Sequence, residues 1–290
     1  MSRNLVLRIA VAAATIPIIL WISYRGGVWL WGMVTLLAVV ALAEYLVAEG
    51  FRPSGLSFWL AELVVIGALW QVWSVSTDVR LSADLLADGP MNAATSLFLL
   101  LGGFFVLTSL MHAVGKRPAN ELFVRHCRLF WGVSYIAFLY PFVFWCGQGF
   151  RDVSGGDSLL LLFGLLWIGD TAAMGIGKWL GSHRLAPSVS PNKTVEGFIG
   201  GIVGAVAVGL FVYVWRLESS QFFTLSDAVL LSVGCSVFGQ LGDLVESMWK
   251  RSVGIKDSSA IIPGHGGVLD RFDSLLFAAP FMYFYFWLCV

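Results

Sequence analysis

Charge is scarce in this chain. Of its 290 residues only 12% are Asp, Glu, Lys or Arg, against about 25% in an ordinary soluble domain, so a body wetted on all sides is excluded. The 18 basic residues balance 18 acidic ones. With no global field, nucleic acid is not expected as a partner, and any basic patch must be local. Cysteine is scarce too: Cys127, Cys146, Cys235 and Cys289 stand singly in apolar runs. The absence of a CxxC or Cys/His ligand spacing excludes the usual zinc and redox motifs, and these four read as small apolar residues. No polar stretch is long enough for a soluble domain.

What is present is apolar. Hydrophobic residues make up 58% of the chain, and runs close to the ~20 residues needed to cross a bilayer recur along it. They lie at about 5–24, 28–48, 58–75, 94–114, 129–145, 159–180, 198–215, 228–249 and 272–290. The first, with Ala12, Ala13 and Ala14, resembles a signal peptide, but its apolar run continues past those alanines and a second span follows almost at once. The expected fold is all-α, a polytopic integral membrane protein of about nine transmembrane helices. It is grouped as N-terminal helices over 1–92, middle helices over 93–156 and a C-terminal set over 157–290.

Lys and Arg set the orientation. With nine spans, the N-terminus and the connections after spans two, four, six and eight share one side. That side holds Arg3, Arg8, Arg52, Lys116, Arg117, Arg125, Arg128, Lys178, Arg184, Lys193, Lys250, Arg251, Lys256 and Arg271, 14 residues against Arg25, Arg80, Arg151 and Arg216 opposite. A cytoplasmic N-terminus, an external C-terminus and a cytoplasmic 250–271 stretch are the expectation.

That stretch lies within residues 242–273, where charge sits beside spans. Asp243, Glu246 and Ser247 fall at i, i+3 and i+4, one helix face. Beyond the break at Pro263, Gly264, His265, Gly266 and Gly267, Asp270 and Asp273 recur at i and i+3, at a helix start whose dipole favours carboxylates. A hairpin of spans eight and nine brings Asp243 and Asp270 together. Two readings fit: structural ion pairs of Asp243 with Lys250 or Arg251 and of Asp270 with Arg271, or a hard divalent cation held by both carboxylates for phosphate oxygens. Lys250, Arg251, Lys256, His265 and Arg271 supply positive or potentially positive groups, and Gly264, Gly266 and Gly267 let backbone N–H groups approach an anion. Together they favour metal plus polyphosphate.

A second polar island covers 181–197. Ser190 followed by Pro191 reads as an N-cap with proline at the first helical position, which places Lys193 and Thr194 in the first turn of helix seven, where free N–H groups bind phosphate. Taken on its own, a merely capped helix is the preferred reading. Asp170, with Thr171 near the middle of span six, is an intramembrane acid and hence a functional candidate; the nearby Gly175, Gly177 and Gly181 fit tight helix packing or ligand approach.

These residues resemble a family. Ser247-Met248-Trp249-Lys250-Arg251, then Lys256-Asp257, then the run from Ile262 and Pro263 through Asp270-Arg271-Phe272-Asp273, is similar to the signature of the phosphatidate cytidylyltransferases, or CDP-diacylglycerol synthases. Asp170-Thr171, Leu185-Ala186-Pro187, Ser190-Pro191, Lys193-Thr194, Glu196-Gly197 and Gly242-Asp243-Leu244 also resemble it, over about 160–275. Trp249 stands where an aliphatic residue or Phe is usual, Met174 where Tyr is frequent, and Asn192 where Lys or Gly is common.

The resemblance implies transfer of a cytidylyl group from CTP to phosphatidate in a bacterial-type inner membrane, with the site on the cytoplasmic face. It implies Mg²⁺ on Asp243 and Asp270, K⁺ as a companion ion, and a homodimer. Catalytic roles then fall to Asp243, Asp270, Lys250, Arg271 and His265. Substrate contacts fall to Asp170, Ser190, Lys193, Thr194, Glu196, Arg251, Lys256, Asp257, Gly266, Gly267 and Asp273. Rival readings are a CTP-using polyprenol kinase, an ion-coupled transporter and a silent lipid-binding scaffold.

Overall fold

A computed structural model describes residues 3–81, 89–115, 117–150, 153–217 and 223–289. Lys116, Arg151 and much of the acidic segment between spans three and four lie outside the described residues. Among those described there are nine α-helices: α1 (Arg3–Arg25), α2 (Gly27–Ala48), α3 (Leu56–Leu81), α4 (Gly89–Ala113), α5 (Ala119–Cys146), α6 (Gly155–Leu180), α7 (Val195–Val212), α8 (Leu225–Ser252) and α9 (Leu269–Cys289). Eight of them, α2 to α9, are long and apolar enough to cross a membrane, and α1 contributes a shorter apolar stretch, Ala10–Arg25. The chain is a multi-pass, predominantly helical membrane protein.

Helices run past the apolar stretches that reveal them. The run at about 129–145 belongs to a helix that begins ten residues earlier, at Ala119. Its first turns carry Glu121, Arg125 and Arg128, which suit water while the backbone hydrogen bonds continue. Hydropathy measures the thickness of the apolar layer rather than the length of the helix.

Two short strands interrupt the helices. β1 (Arg184–Ala186) and β2 (Ser190–Thr194) form an antiparallel ribbon between α6 and α7. The pairings Arg184 with Thr194 and Ala186 with Ser190 enclose a bulge, and Val189 N–H donates to Ala186 C=O at 3.2 Å across a turn with Pro187 at its second position. This corrects the expected helix start at Ser190. Pro191, Lys193 and Thr194 are extended, and the cap is Thr194, whose Oγ1 accepts from Gly197 N–H at 3.1 Å. Pro191 survives in a strand because the ribbon is all edge.

The helices fall into two compact units, one of residues Met1–Leu30 with Phe142–Val290, the other Trp31–Pro141. In the first, α6 packs on α7 through small residues. A Cβ on Gly197 would lie 2.8 Å from Ala173 O, and one on Gly177 would lie 3.0 Å from Thr194 Oγ1, so the backbones meet as in small-residue membrane interfaces. Gly242 plays the same part between α8 and α9, where an added Cβ would meet Asp273 O at 2.6 Å. In the second unit tryptophan and tyrosine rings meet: Trp31 lies 5.8 Å from Trp70 and 5.7 Å from Trp73, and Tyr45 lies 5.6 Å from Trp131.

Candidate active site

The α8–α9 hairpin is closed by a loop over 253–268 whose shape follows from its glycines. His265 N–H donates to Ile262 C=O at 2.9 Å, and Gly264, at φ +77°, sits behind Pro263. Proline followed by a left-handed residue is the pattern of a type II turn. Ile262 N–H then donates to Gly266 C=O at 2.9 Å. Gly266 itself has φ +83°, and a Cβ there would stand 2.8 Å from Asp270 Oδ2; both facts require glycine.

Asp270, in the first turn of α9, gathers this loop. Its Oδ2 accepts from Ser258 N–H at 2.8 Å, Ser258 Oγ at 2.9 Å and Gly267 N–H at 2.8 Å, while Oδ1 accepts from Lys250 Nζ at 2.7 Å. Lys250, one turn from the end of α8, reaches Glu246 Oε2 as well, at 2.5 Å. Neither expected ion pair for the aspartates is present in that form: Asp270 takes Lys250 rather than Arg271, and Asp243 takes Lys193 from β2, Nζ to Oδ2 at 2.8 Å. Lys193 also donates to Gln240 C=O at 3.4 Å, and Ser247 Oγ to Asp243 Oδ1 at 3.3 Å. The ribbon therefore delivers a cation to the face of α8.

Three carboxylates converge there. Asp243, Glu246 and Asp273 each place an oxygen within 4.8 Å of the others'. Glu246 is 2% exposed, and Asp270 and Asp273 are buried. Glu246 Oε1 has no hydrogen-bond partner among the described residues. Burying so many acids is costly unless cations compensate them, and Lys250 and Lys193 do so in part. Asp170 in α6 joins the same field, acted on by Asp243, Lys193 and Arg271. Lys256, Asp257 and Arg271 are exposed, and the two cations have no ion pair among the described residues.

Other expected site residues hold the frame. Glu196 accepts from Ser182 N–H at 3.1 Å and His183 N–H at 3.2 Å, and pairs with His183 Nδ1 at 2.6 Å. It ties the start of α7 to the end of α6. Arg251 donates to Val189 C=O at 3.4 Å and Ile255 C=O at 3.0 Å, joining α8 to the ribbon turn. Thr194 is the cap of α7, and Ser190 opens β2. His265 Nδ1 is buried with no partner among the described residues. Glu246, expected on the same helix face as Asp243, joins the cluster and shares Lys250 at i+4; Ser258 is not among the expected site residues and meets Asp270 only through the loop's fold.

A multi-pass membrane protein with a buried acid cluster, facing lysines and a glycine loop is suited to anionic substrates that meet a lipid surface. The match to family models is explicit: residues 6–289 fit the model described as "Cytidylyltransferase family", and the chain belongs to that family. It is also similar to a Bacillus subtilis (strain 168) protein named phosphatidate cytidylyltransferase, 52% identical over 121 residues, which are 41% of this chain and 44% of that protein. Proteins of the same name from Staphylococcus saprophyticus and Staphylococcus aureus (strain COL) are 45% identical over 124 residues and 47% over 125, each covering 43% of this chain and 46% of the relative. The aligned region thus spans a little under half the length of these curated relatives.

Proposed function

We propose that the chain transfers the cytidylyl group of CTP to phosphatidate, giving CDP-diacylglycerol and pyrophosphate. The observation that carries this reading is the meeting of buried carboxylates and lysines from α8, α9 and β2 beside a glycine loop, in a chain of the cytidylyltransferase family. The name of the curated relatives supports the lipid as acceptor. A phosphate oxygen of phosphatidate attacks the α-phosphorus of CTP. The new P–O bond forms as the bond to the α,β-bridging oxygen breaks, and pyrophosphate leaves with that electron pair. Such a reaction depends on positioning and on neutralising charge.

Lys256 and Arg271, exposed and without ion pairs among the described residues, are assigned to substrate phosphates. Lys193 and Lys250 balance the acids and lie next to the phosphates. His265, in the glycine loop, is assigned to orient or protonate a phosphate oxygen. Arg251, Glu196, Ser190, Thr194 and Asp257 shape the substrate-facing rim by holding ribbon and loop.

The donor set also fits Mg²⁺, a hard ion that takes carboxylate oxygens. Asp243 and Asp270 would hold it, with Glu246 and Asp273 alongside; among the described residues Glu246 Oε1 is unpartnered and Asp270 Oδ1 accepts from Lys250 alone, leaving acceptor capacity. Bound there, the ion would offset charge on the triphosphate and the departing pyrophosphate, with K⁺ as a second ion. The reading includes a bacterial-type inner membrane, a cytoplasmic N-terminus and site, and a homodimer.

Purified full-length protein in lipid vesicles, given labelled CTP and phosphatidate, tests it. Equal amounts of CDP-diacylglycerol and pyrophosphate are expected, only with a divalent cation present. Release of CDP with a newly phosphorylated lipid would instead make the protein a kinase. No CTP turnover at all would return the transporter or scaffold readings.

A further inference from the structure

The unit Trp31–Pro141 carries a feature that the proposed reaction does not use. Between the start of α3, the end of α4 and the start of α5 lies a cavity of about 200 Å³, lined by Ser57, Met111, His112, Gly115, Arg117, Leu122 and Arg125. Its charged lining is basic: two guanidinium groups, an imidazole and no carboxylate. Among the described residues Arg117 pairs with Glu121, at 3.8 Å with both side chains more than half exposed, a pair too loose and wet to hold it. The Arg125 guanidinium carbon is stacked 3.9 Å from the Phe51 ring centre, which fixes the group without neutralising it. His112 donates from Nδ1 to Thr108 C=O at 2.7 Å, so in the neutral tautomer Nε2 is an acceptor, suited to a headgroup hydroxyl rather than to a phosphate oxygen.

The surroundings are apolar. Leu56, Leu110, Val114, Phe123 and Val124, all within a turn or so of the lining residues in sequence, are exposed at 63%, 63%, 84%, 68% and 45%. They lie at or just beyond the ends of helices of membrane-crossing length and composition. A cationic recess with apolar residues beside it, at the ends of spans, matches a molecule with a phosphate at one end and hydrocarbon at the other. Guanidinium groups suit phosphate because their paired N–H donors match its oxygens. We propose that this recess is a binding site for the phosphate headgroup of an anionic phospholipid, formed by Arg117, Arg125 and His112 and separate from the acid cluster of α8 and α9. The site stands whether or not the chain makes CDP-diacylglycerol.

Phosphatidylglycerol is the probe, because its phosphodiester lacks the phosphomonoester on which the proposed transfer depends. Native mass spectrometry of the full chain in detergent, titrated with phosphatidylglycerol against phosphatidylcholine, reads the binding. Selective retention of phosphatidylglycerol is expected, with affinity falling about tenfold or more in the Arg117→Gln/Arg125→Gln double variant, given the contribution of each basic group near an anionic headgroup. Arg125→Lys, which keeps the charge over Phe51, serves if the double variant fails to fold, and is expected to lose part of the affinity with the fork. Arg52→Gln removes a charge from the same side of the chain without touching the recess and is expected to change affinity less than about twofold. An equal loss in Arg52→Gln, equal retention of both lipids, or complete displacement of the lipid by millimolar inorganic phosphate would overturn the proposal. CTP turnover in phosphatidylcholine vesicles is expected to be unchanged in all three variants.

Discussion

Glu246 and Glu62 are both carboxylates buried in membrane-length helices, 2% exposed in α8 and 3% exposed in α3, yet they live differently. Glu246 shares Lys250 with Asp270 and converges with Asp243 and Asp273. Neither oxygen of Glu62 has a hydrogen-bond partner among the described residues, and no ion pair to it is present among them. The helices around each differ in the same sense. Near Glu246 glycines such as Gly242 bring backbones close, whereas in the unit of Glu62 tryptophan and tyrosine rings meet. A burial figure does not by itself mark an active site. What marks it is a network in which each acid is committed to a partner and some capacity is left over for a ligand.

Substitutions can break that contrast. The largest effect is expected for Asp243→Asn, which keeps the shape but removes charge from the acid cluster: CTP turnover should fall by about 10²–10³-fold or more, while the folded yield by size-exclusion chromatography stays that of the parent. Lys250→Met comes next. Its ammonium is shared by two buried carboxylates, and removing one member of such a set costs about 3–5 kcal/mol, to be read as a fall in the thermal midpoint in detergent. A parent-like midpoint would mean that the acids do not depend on it. Gly266→Ala forces a side chain into positive φ and against Asp270 Oδ2; about 1–3 kcal/mol of strain should appear as raised protease cleavage in the loop, with a higher KM for CTP. Glu62→Gln is the sharpening control. With no partner to lose, it should not lower the thermal midpoint and should leave turnover intact; a large loss would give Glu62 a network of its own.

Much of this was legible in residues, and the misses have causes. The hairpin of α8 and α9 followed from two apolar runs about a loop no helix can cross, and the facing of Asp243 and Glu246 from helical spacing. Ser190-Pro191 fits a helix start, but Thr194 is as good a cap, and the choice between them is made by pairing with Arg184–Ala186, a contact that no local pattern encodes. The partners of Asp270 were hidden for the same reason: Ser258 and Gly267 reach it only after Gly264 and Gly266 have turned the chain. Lys193 was singled out for phosphate through a helix start that does not exist, yet the ribbon carries it to Asp243. Lys193 is conspicuous in the sequence, whereas its setting depends on the pairing of β2 with β1.

In the proposed reaction the acids of α8 and α9 hold a divalent cation where the nucleotide and lipid meet. Electron paramagnetic resonance of Mn²⁺ added to the full-length protein in nanodiscs, with CTP present, addresses it directly. One saturable Mn²⁺ site is expected, lost in Asp243→Asn and kept in Glu62→Gln. Undiminished Mn²⁺ binding by a folded Asp243→Asn protein would contradict the account.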